Sequence, residues 1–511
     1  MNFPRASGIL LHPTSLPGRS GIGDLGSEAY RFADFLYDTK QHLWQMLPLG
    51  PTGYGNSPYQ CLSVFAGNPL LISLERLAAE RLLEPADLEK APLFPDLGVD
   101  YGAVINYKIP LLKTSCEILE KRGATAIRQE FEVFCQQNAS WLGEFSLFMA
   151  LKEAHGLVAW NKWEEGARNR HPKSLERWRS RLSREIYCHQ YQQFLFFRQW
   201  TSLKKYCNER GIKLIGDMPI FVAFDSAEVW SHQEMFYLDD EGQPIVVAGV
   251  PPDYFSKTGQ LWGNPLYRWD VMAKDSYAWW TERFRVARSM VDIIRLDHFR
   301  GFEKYWEIPA EEKTAINGRW VPGPGADFFE AIRKELGELP IIAEDLGMIT
   351  PEVHALREQF GLPGMKVLQF AFGTDLESDE YLPHNYPRDC VVYTGTHDNN
   401  TTVGWFREAE VTTISGEELQ SERKLALEYL GTDGREINWD FIRLALMSPA
   451  DRAIIPLQDL LGLGGEARMN TPATKEGNWS WRFSFNMMTD EMKNRLKKLT
   501  VQSGRDEHKQ V

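Results

Sequence analysis

Three apolar runs in this chain each stop abruptly on acidic side chains, and no other feature restricts the fold as much. Val291–Ile294 leads into Arg295, Asp297, His298 and Arg300. Leu339–Ala343 ends on Glu344 and Asp345, and Cys390–Tyr393 runs on to His397 and Asp398. A short, continuous apolar run reads as a strand buried on both faces, which belongs in a parallel sheet. Charge gathered at the carboxyl end of such a strand belongs at the rim of a barrel, where loops build sites.

Five further stretches have the same character: Ser7–His12, His42–Leu47, Lys213–Gly216, Lys366–Phe370 and Ala453–Leu457. With 291–296, Ile341–Ala343 and Val391–Tyr393 they make eight strand candidates separated by helical patterns. After Ser27, for instance, Ala29, Phe32, Ala33 and Leu36 fall on one helical face. Thr350 followed by Pro351 marks another helix start. The expected fold class is α/β, a (β/α)8 TIM barrel forming one elaborated domain over residues 1–511. Residues 66–210 mix polar and apolar positions at helical spacing, too many for one crossover. They predict a mainly helical insertion between strands two and three on the C-terminal rim. Residues 231–275 lack periodicity and include many Gly, Pro and aromatics, which predicts a lid or loop insertion over 223–285 between strands three and four.

The chain carries a formal net charge of −13, which argues against nucleic acid and anionic membranes as partners and suits a neutral substrate. Its six cysteines show no CxxC spacing, so free thiols in a reducing compartment are expected. The first residues resemble neither a signal peptide nor a transit segment, and no run of eighteen apolar residues occurs. The expected location is the cytoplasm. Aromatic residues make up 12% of the chain, and several sit in Gly/Pro loops rather than in periodic segments. In Gly50–Gln60 (GPTGYGNSPYQ), three glycines and two prolines exclude regular structure. Tyr54 and Tyr59 there are candidate platforms for the C–H faces of sugars. Trp262, with Gly259 and Gly263 beside it, is a candidate lid residue.

Roughly fifty residues separate Asp297 from Glu344, and Glu344 from Asp398, the spacing of intervening βα units. Two carboxylates across a glycosidic bond suffice for hydrolysis or transfer, one attacking the anomeric carbon and the other protonating the leaving oxygen. At about 5–5.5 Å apart they give retention through a covalent glycosyl-enzyme. Arg295 points to the same side of its strand as Asp297 and favours an ionised carboxylate. The acid needs a pKa raised by burial or by negative charge nearby. Asp398 then holds sugar hydroxyls, with His397 beside it. Asp217, after the third strand, sits where it could join them. A metal site is the competing reading of such a cluster, disfavoured by the adjacent arginine and the lack of HExxH.

The residues also carry a resemblance. SGILLHPTSLPG, WQMLPLGPTGYGNSPYQ, IGDMPIFVAFDSAEVW, GQLWGNPLYRW, IIRLDHFRGF, AEDLGMITPEV, GMKVLQFAF, YTGTHDNNTTVGWF and RMNTPATKEGNWSWR together span residues 7 to 482. In these stretches the chain resembles the 4-α-glucanotransferases, or amylomaltases, relatives of the α-amylases. The resemblance implies Asp297 as nucleophile, Glu344 as acid/base and Asp398 as transition-state stabiliser. It implies glucan contacts from Tyr59, Asp217, Arg295, His397 and Asn470, a lid with Gln260 and Trp262, and a further contact near Tyr54 and Tyr101. It implies no cofactor, no metal, no C-terminal β-domain, and malto-oligosaccharides or starch- and glycogen-type glucans as substrates. Asn56, Asn400 and Ala473 depart from the pattern, which more often has Asp, Asp and Gly. An amylase-like hydrolase and a catalytically silent glucan-binding protein are the alternatives.

Overall fold

Eight short parallel strands wind round a common axis in the computed structural model, which describes residues 5–122, 126–252, 256–373, 378–408, 416–474 and 476–506. The strands run β1 (Ala6–Leu10), β2 (Leu43–Gln45), β3 (Lys213–Pro219), β4 (Val246–Val250), β5 (Gln260–Pro265) and β6 (Ile293–Asp297). They continue with β7 (Lys304–Pro309), β8 (Arg319–Pro322), β9 (Ile341–Ala343), β10 (Gly364–Val367), β11 (Cys390–Tyr393) and β12 (Arg452–Pro456). The barrel order is β10-β11-β12-β1-β2-β3-β6-β9, parallel throughout. Every residue of β1, β2, β9, β11 and β12 is buried, as strands covered on both faces must be. Beneath the mouth, the Tyr393 hydroxyl donates to Gln45 Oε1 across 2.8 Å, tying β11 to the non-adjacent β2.

The eight expected strands are the eight barrel strands, with one offset. The sixth lies at Gly364–Val367, and Leu368–Phe370 forms a 3-10 turn instead of extending it. The run VLQFAF is apolar in either conformation, so periodicity alone does not place that boundary. The seam between β9 and β10 is thin. Ala343 N–H donates to Pro363 O (2.9 Å), and one step further the Asp345 carboxylate, rather than a backbone carbonyl, accepts from Met365 N–H (2.7 Å). Arg357 lies 3.2 Å from the other Asp345 oxygen.

Helices fill the chain between β2 and β3, the longest being Tyr101–Lys121, Leu142–Ala154 and Ser183–Glu209. The last of these is also the crossover onto the barrel. Its Tyr206 hydroxyl and Arg210 both reach Asp34 on the helix Ser27–Asp38. The expectation of six free thiols is corrected here. Cys116 on Tyr101–Lys121 and Cys188 on Ser183–Glu209 form a disulfide, with Cα atoms 5.8 Å apart. A separation of 72 residues bridged by helix packing leaves no spacing signature. Cys61, Cys135, Cys207 and Cys390 are free.

A second sheet was not legible in the sequence. β5, β4, β7 and β8 form an antiparallel sheet in that order, covering one side of the mouth. β5 (QLWGNP) has little β-propensity, and the β4–β7 pairing is non-local, so neither signals a strand locally. Gly249 lets β4 and β5 approach closely: a Cβ there would sit 2.2 Å from Gln260 O. Residues 253–255, inside the expected lid, lie outside the described residues. After β12 the described chain is short helices and the helix Asp490–Gln502, with no further sheet among those residues. Nor is any helix among them long and apolar enough to cross a membrane.

Candidate active site

Strand register sets the floor of the mouth. β3 and β6 pair Asp217 with Arg295 and Pro219 with Asp297. β6 and β9 pair Leu296 with Ala343, so Asp297 and Glu344 leave neighbouring strands at one level, about 4.8 Å apart by sheet spacing. Arg295 Nη1 lies 2.8 Å from both oxygens of Asp217 and 2.7 Å from Asp297 Oδ1. Side-chain exposure grades outward: Asp217 0%, Arg295 5%, Asp297 25%, Asp398 41%. The first two lie buried at the floor of the mouth and the last two open outward.

From Asp217 the contacts continue without a break. The Tyr59 hydroxyl donates to Asp217 Oδ2 (2.7 Å), and the Tyr59 ring stacks on His397 with centroids 5.1 Å apart at 14°. His397 Nε2 lies 3.3 Å from Asp398 Oδ1, which also accepts from Asn470 Nδ2 (2.6 Å). One connected set thus holds Asp297, Arg295, Asp217, Tyr59, His397, Asp398 and Asn470. Glu344 joins it from β9: Oε2 accepts from His298 N–H (2.7 Å) and Oε1 from Leu346 N–H (3.1 Å).

Burial raises the Glu344 carboxyl to about 8; Arg295 and the two backbone N–H groups oppose the rise, and Asp297 adds to it. That carboxyl is therefore an acid at neutral pH. Burial also raises Asp217, against the pull of Arg295, and raises Tyr59 well above the usual phenol range, with the Asp217 charge adding to it. Arg295→Met would strand the Asp217 carboxylate with no exposure to water. The expected loss is about 3–5 kcal/mol of stability, read as a lower midpoint in urea unfolding.

The remaining expected residues fall in two places. Gln260 and Trp262 lie on β5, with Trp262 Nε1 donating to Gln260 Oε1 (3.2 Å) and the indole edge-to-face with His298 at 4.9 Å. Trp262 thereby faces the end of β6. Tyr54 is 73% exposed on a 3-10 turn at the outer edge of its loop. Tyr101 is 8% exposed, its hydroxyl donating to Trp479 O (2.8 Å), and so presents no open ring face.

Three residues of the site escaped sequence reasoning. Trp479 extends the aromatic wall, 5.8 Å from Tyr59 and 6.0 Å from His397. Arg468 clamps the loop from behind, Nη2 donating to Asp398 O (2.6 Å) and Nε to Asn470 O (2.8 Å). His298 links Glu344 to Trp262. Arg468 and Trp479 stand in the motif that supplied Asn470, and His298 follows Asp297 directly, so adjacency was the available signal. Ala473, where the family pattern has Gly, takes a left-handed φ of 62° that glycine would adopt without strain.

Comparison with known proteins agrees with this geometry. The family model for 4-alpha-glucanotransferase matches residues 11–488. A 4-alpha-glucanotransferase of Synechocystis sp. is 52% identical over 98% of both chains, and one of Thermus thermophilus is 51% identical over 94% of this chain and 95% of its own. The amylomaltase from Streptococcus agalactiae, solved in complex with acarbose, superposes with a TM-score of 0.93 at 39% identity, covering 98% of this chain and 99% of its own. With that overlap along nearly its whole length, and with three carboxylates on the rim of an eight-stranded barrel, the chain belongs to the 4-alpha-glucanotransferase family, the amylomaltases.

Proposed function

We propose that Asp297, Glu344 and Asp398 divide the transfer reaction of this family between them. Asp297 attacks the anomeric carbon of a bound α-1,4-glucan while Glu344 gives its proton to the departing chain. The bond to the leaving oxygen breaks as the Asp297 ester forms. The 4-hydroxyl of an acceptor glucan then attacks the same carbon, gives its proton to Glu344 and releases Asp297. Asp398, more exposed than Asp297, grips hydroxyls of the distorted ring, with Asn470 and His397 fixing its carboxylate. Arg295 engages Asp297 Oδ1, so the other oxygen is the attacking one. Tyr59 supplies the stacking platform, backed by the buried Trp479, and Gln260 and Trp262 cover the bound chain from the second sheet.

The observation that carries this reading is the connected set of contacts from Asp297 to Asp398 at one end of the barrel. Malto-oligosaccharides and longer starch- or glycogen-type glucans are the proposed substrates. Incubation with maltotriose tests the reading. Glucose and longer oligomers should appear at constant total reducing ends, whereas a rise in that total would mean hydrolysis and would overturn it.

The pH profile follows from Glu344. The free enzyme must hold that proton, so kcat/KM should fall as pH rises through about 8. A basic limb more than two pH units away would detach Glu344 from the acid role.

A further inference from the structure

We infer that His298 is a positioning residue that couples the lid to the general acid: its backbone N–H holds Glu344 while its ring carries Trp262. The inference rests on Glu344 being the acid.

His298 occupies an unusual backbone position. Its φ is 52°, the left-handed region that histidine tolerates better than most residues. In that conformation its N–H donates to Glu344 Oε2 at 2.7 Å. The backbone around it is fixed on both sides, since Glu344 N–H donates to Leu296 O and Phe299 N–H to Glu344 O, each at 3.0 Å. Strain of this kind persists where neighbours over-determine it, and it collects at sites that must hold one geometry.

The ring is held as tightly. Trp262 meets it edge-to-face at 87° with centroids 4.9 Å apart, and Phe221 lies at 6.4 Å. Gly301 closes the opposite side: a Cβ there would stand 3.0 Å from His298 Cδ2 and 2.9 Å from Ile220 Cδ1. Nε2 is buried and has no hydrogen-bond partner among the described residues, so packing rather than a polar bond sets the ring's orientation. Burial lowers the imidazole to about 4, and the ring is neutral at working pH, as a partner for indole should be. Trp262 belongs to β5, an edge strand of the second sheet. Displacement of β5 removes the ring's partner and leaves the left-handed conformation to be held by the flanking backbone bonds alone, which loosens the hold on Glu344. Lid position and acid geometry therefore change together. Water would enter in the same event, and transfer requires that it stay out.

The test uses six variants of the full chain with maltotriose as donor, each checked for folding by thermal melting. His298→Ala should lower the ratio of transfer to hydrolysis by on the order of tenfold. It should also move the basic limb of kcat/KM upward, because the lost N–H bond favours the ionised acid. His298→Phe keeps a ring against Trp262 and should restore the ratio. Gly301→Ala presses on the ring from behind and should reproduce the fall with His298 intact. Combining His298→Ala with Trp262→Ala should cost no more than the worse single change. Independent, multiplying effects of the two would overturn the coupling. So would a folded His298→Ala protein with an unmoved basic limb. Glu344→Gln tests the acid assignment separately, so failure of that reading and failure of the coupling give different results.

Discussion

Asp297→Asn is expected to lower kcat on maltotriose by on the order of 10⁴-fold or more, with the protein still folded. The carboxylate supplies the covalent step that splits one displacement into two, and an amide oxygen at that position is a poor nucleophile. Arg295 retains both oxygens of Asp217, so the floor of the mouth stays ion-paired. The substitution has a second readout. The Asp297 charge raises the Glu344 carboxyl, so in the variant Glu344 should titrate lower than in the native protein. Carboxyl-specific infrared or NMR titration measures that shift. Retention of more than a tenth of native activity would remove Asp297 from the nucleophile role. A slow fluorinated glycosyl donor should label the peptide containing Asp297 in the native protein only.

Glu344→Gln should cost about 10²–10⁴-fold in kcat with maltotriose. The loss should shrink for a donor with a good leaving group, such as a maltosyl fluoride, because departure then needs no proton. Equal losses on the two donors would rule out the acid role. Stability has a sign of its own. The native Glu344 carboxyl titrates at about 8 and its ordinary value is 4.5, so between these the native state holds a proton that the unfolded chain has released. Its contribution to stability is whole below about 4.5 and lost as pH rises through about 8. Glutamine imitates the protonated form at every pH. Compared with the native protein, the variant should therefore be relatively more stable at pH 9 than at pH 5 in urea unfolding.

The barrel was legible because parallel strands covered on both faces carry short apolar runs, and each of the eight contains one. Asp297, Glu344 and Asp398 stood out because charge following such a run has nowhere to go but the rim. What escaped was non-local. The second sheet depends on β4 meeting β7, with β5 between them in sequence. The Cys116–Cys188 disulfide depends on how two helices pack. The resemblance implied a glucan contact near Tyr54 and Tyr101; the Tyr101 hydroxyl donates to Trp479 O and its side chain is buried. His298 and Arg468 act through backbone groups, His298 by its own N–H and Arg468 on carbonyl oxygens, and such contacts leave no trace in composition or period.

The join between β9 and β10 bears on how the enzyme fails on heating. Elsewhere in the barrel, amide and carbonyl zip adjacent strands together; here a single side chain, Asp345, stands in for part of the zip. Opening there needs fewer bonds broken than opening anywhere else round the ring. Glu344 immediately precedes Asp345 in the chain. Warming should therefore expose the Met365 amide to deuterium exchange, and silence the enzyme, some degrees before the remaining staves come apart.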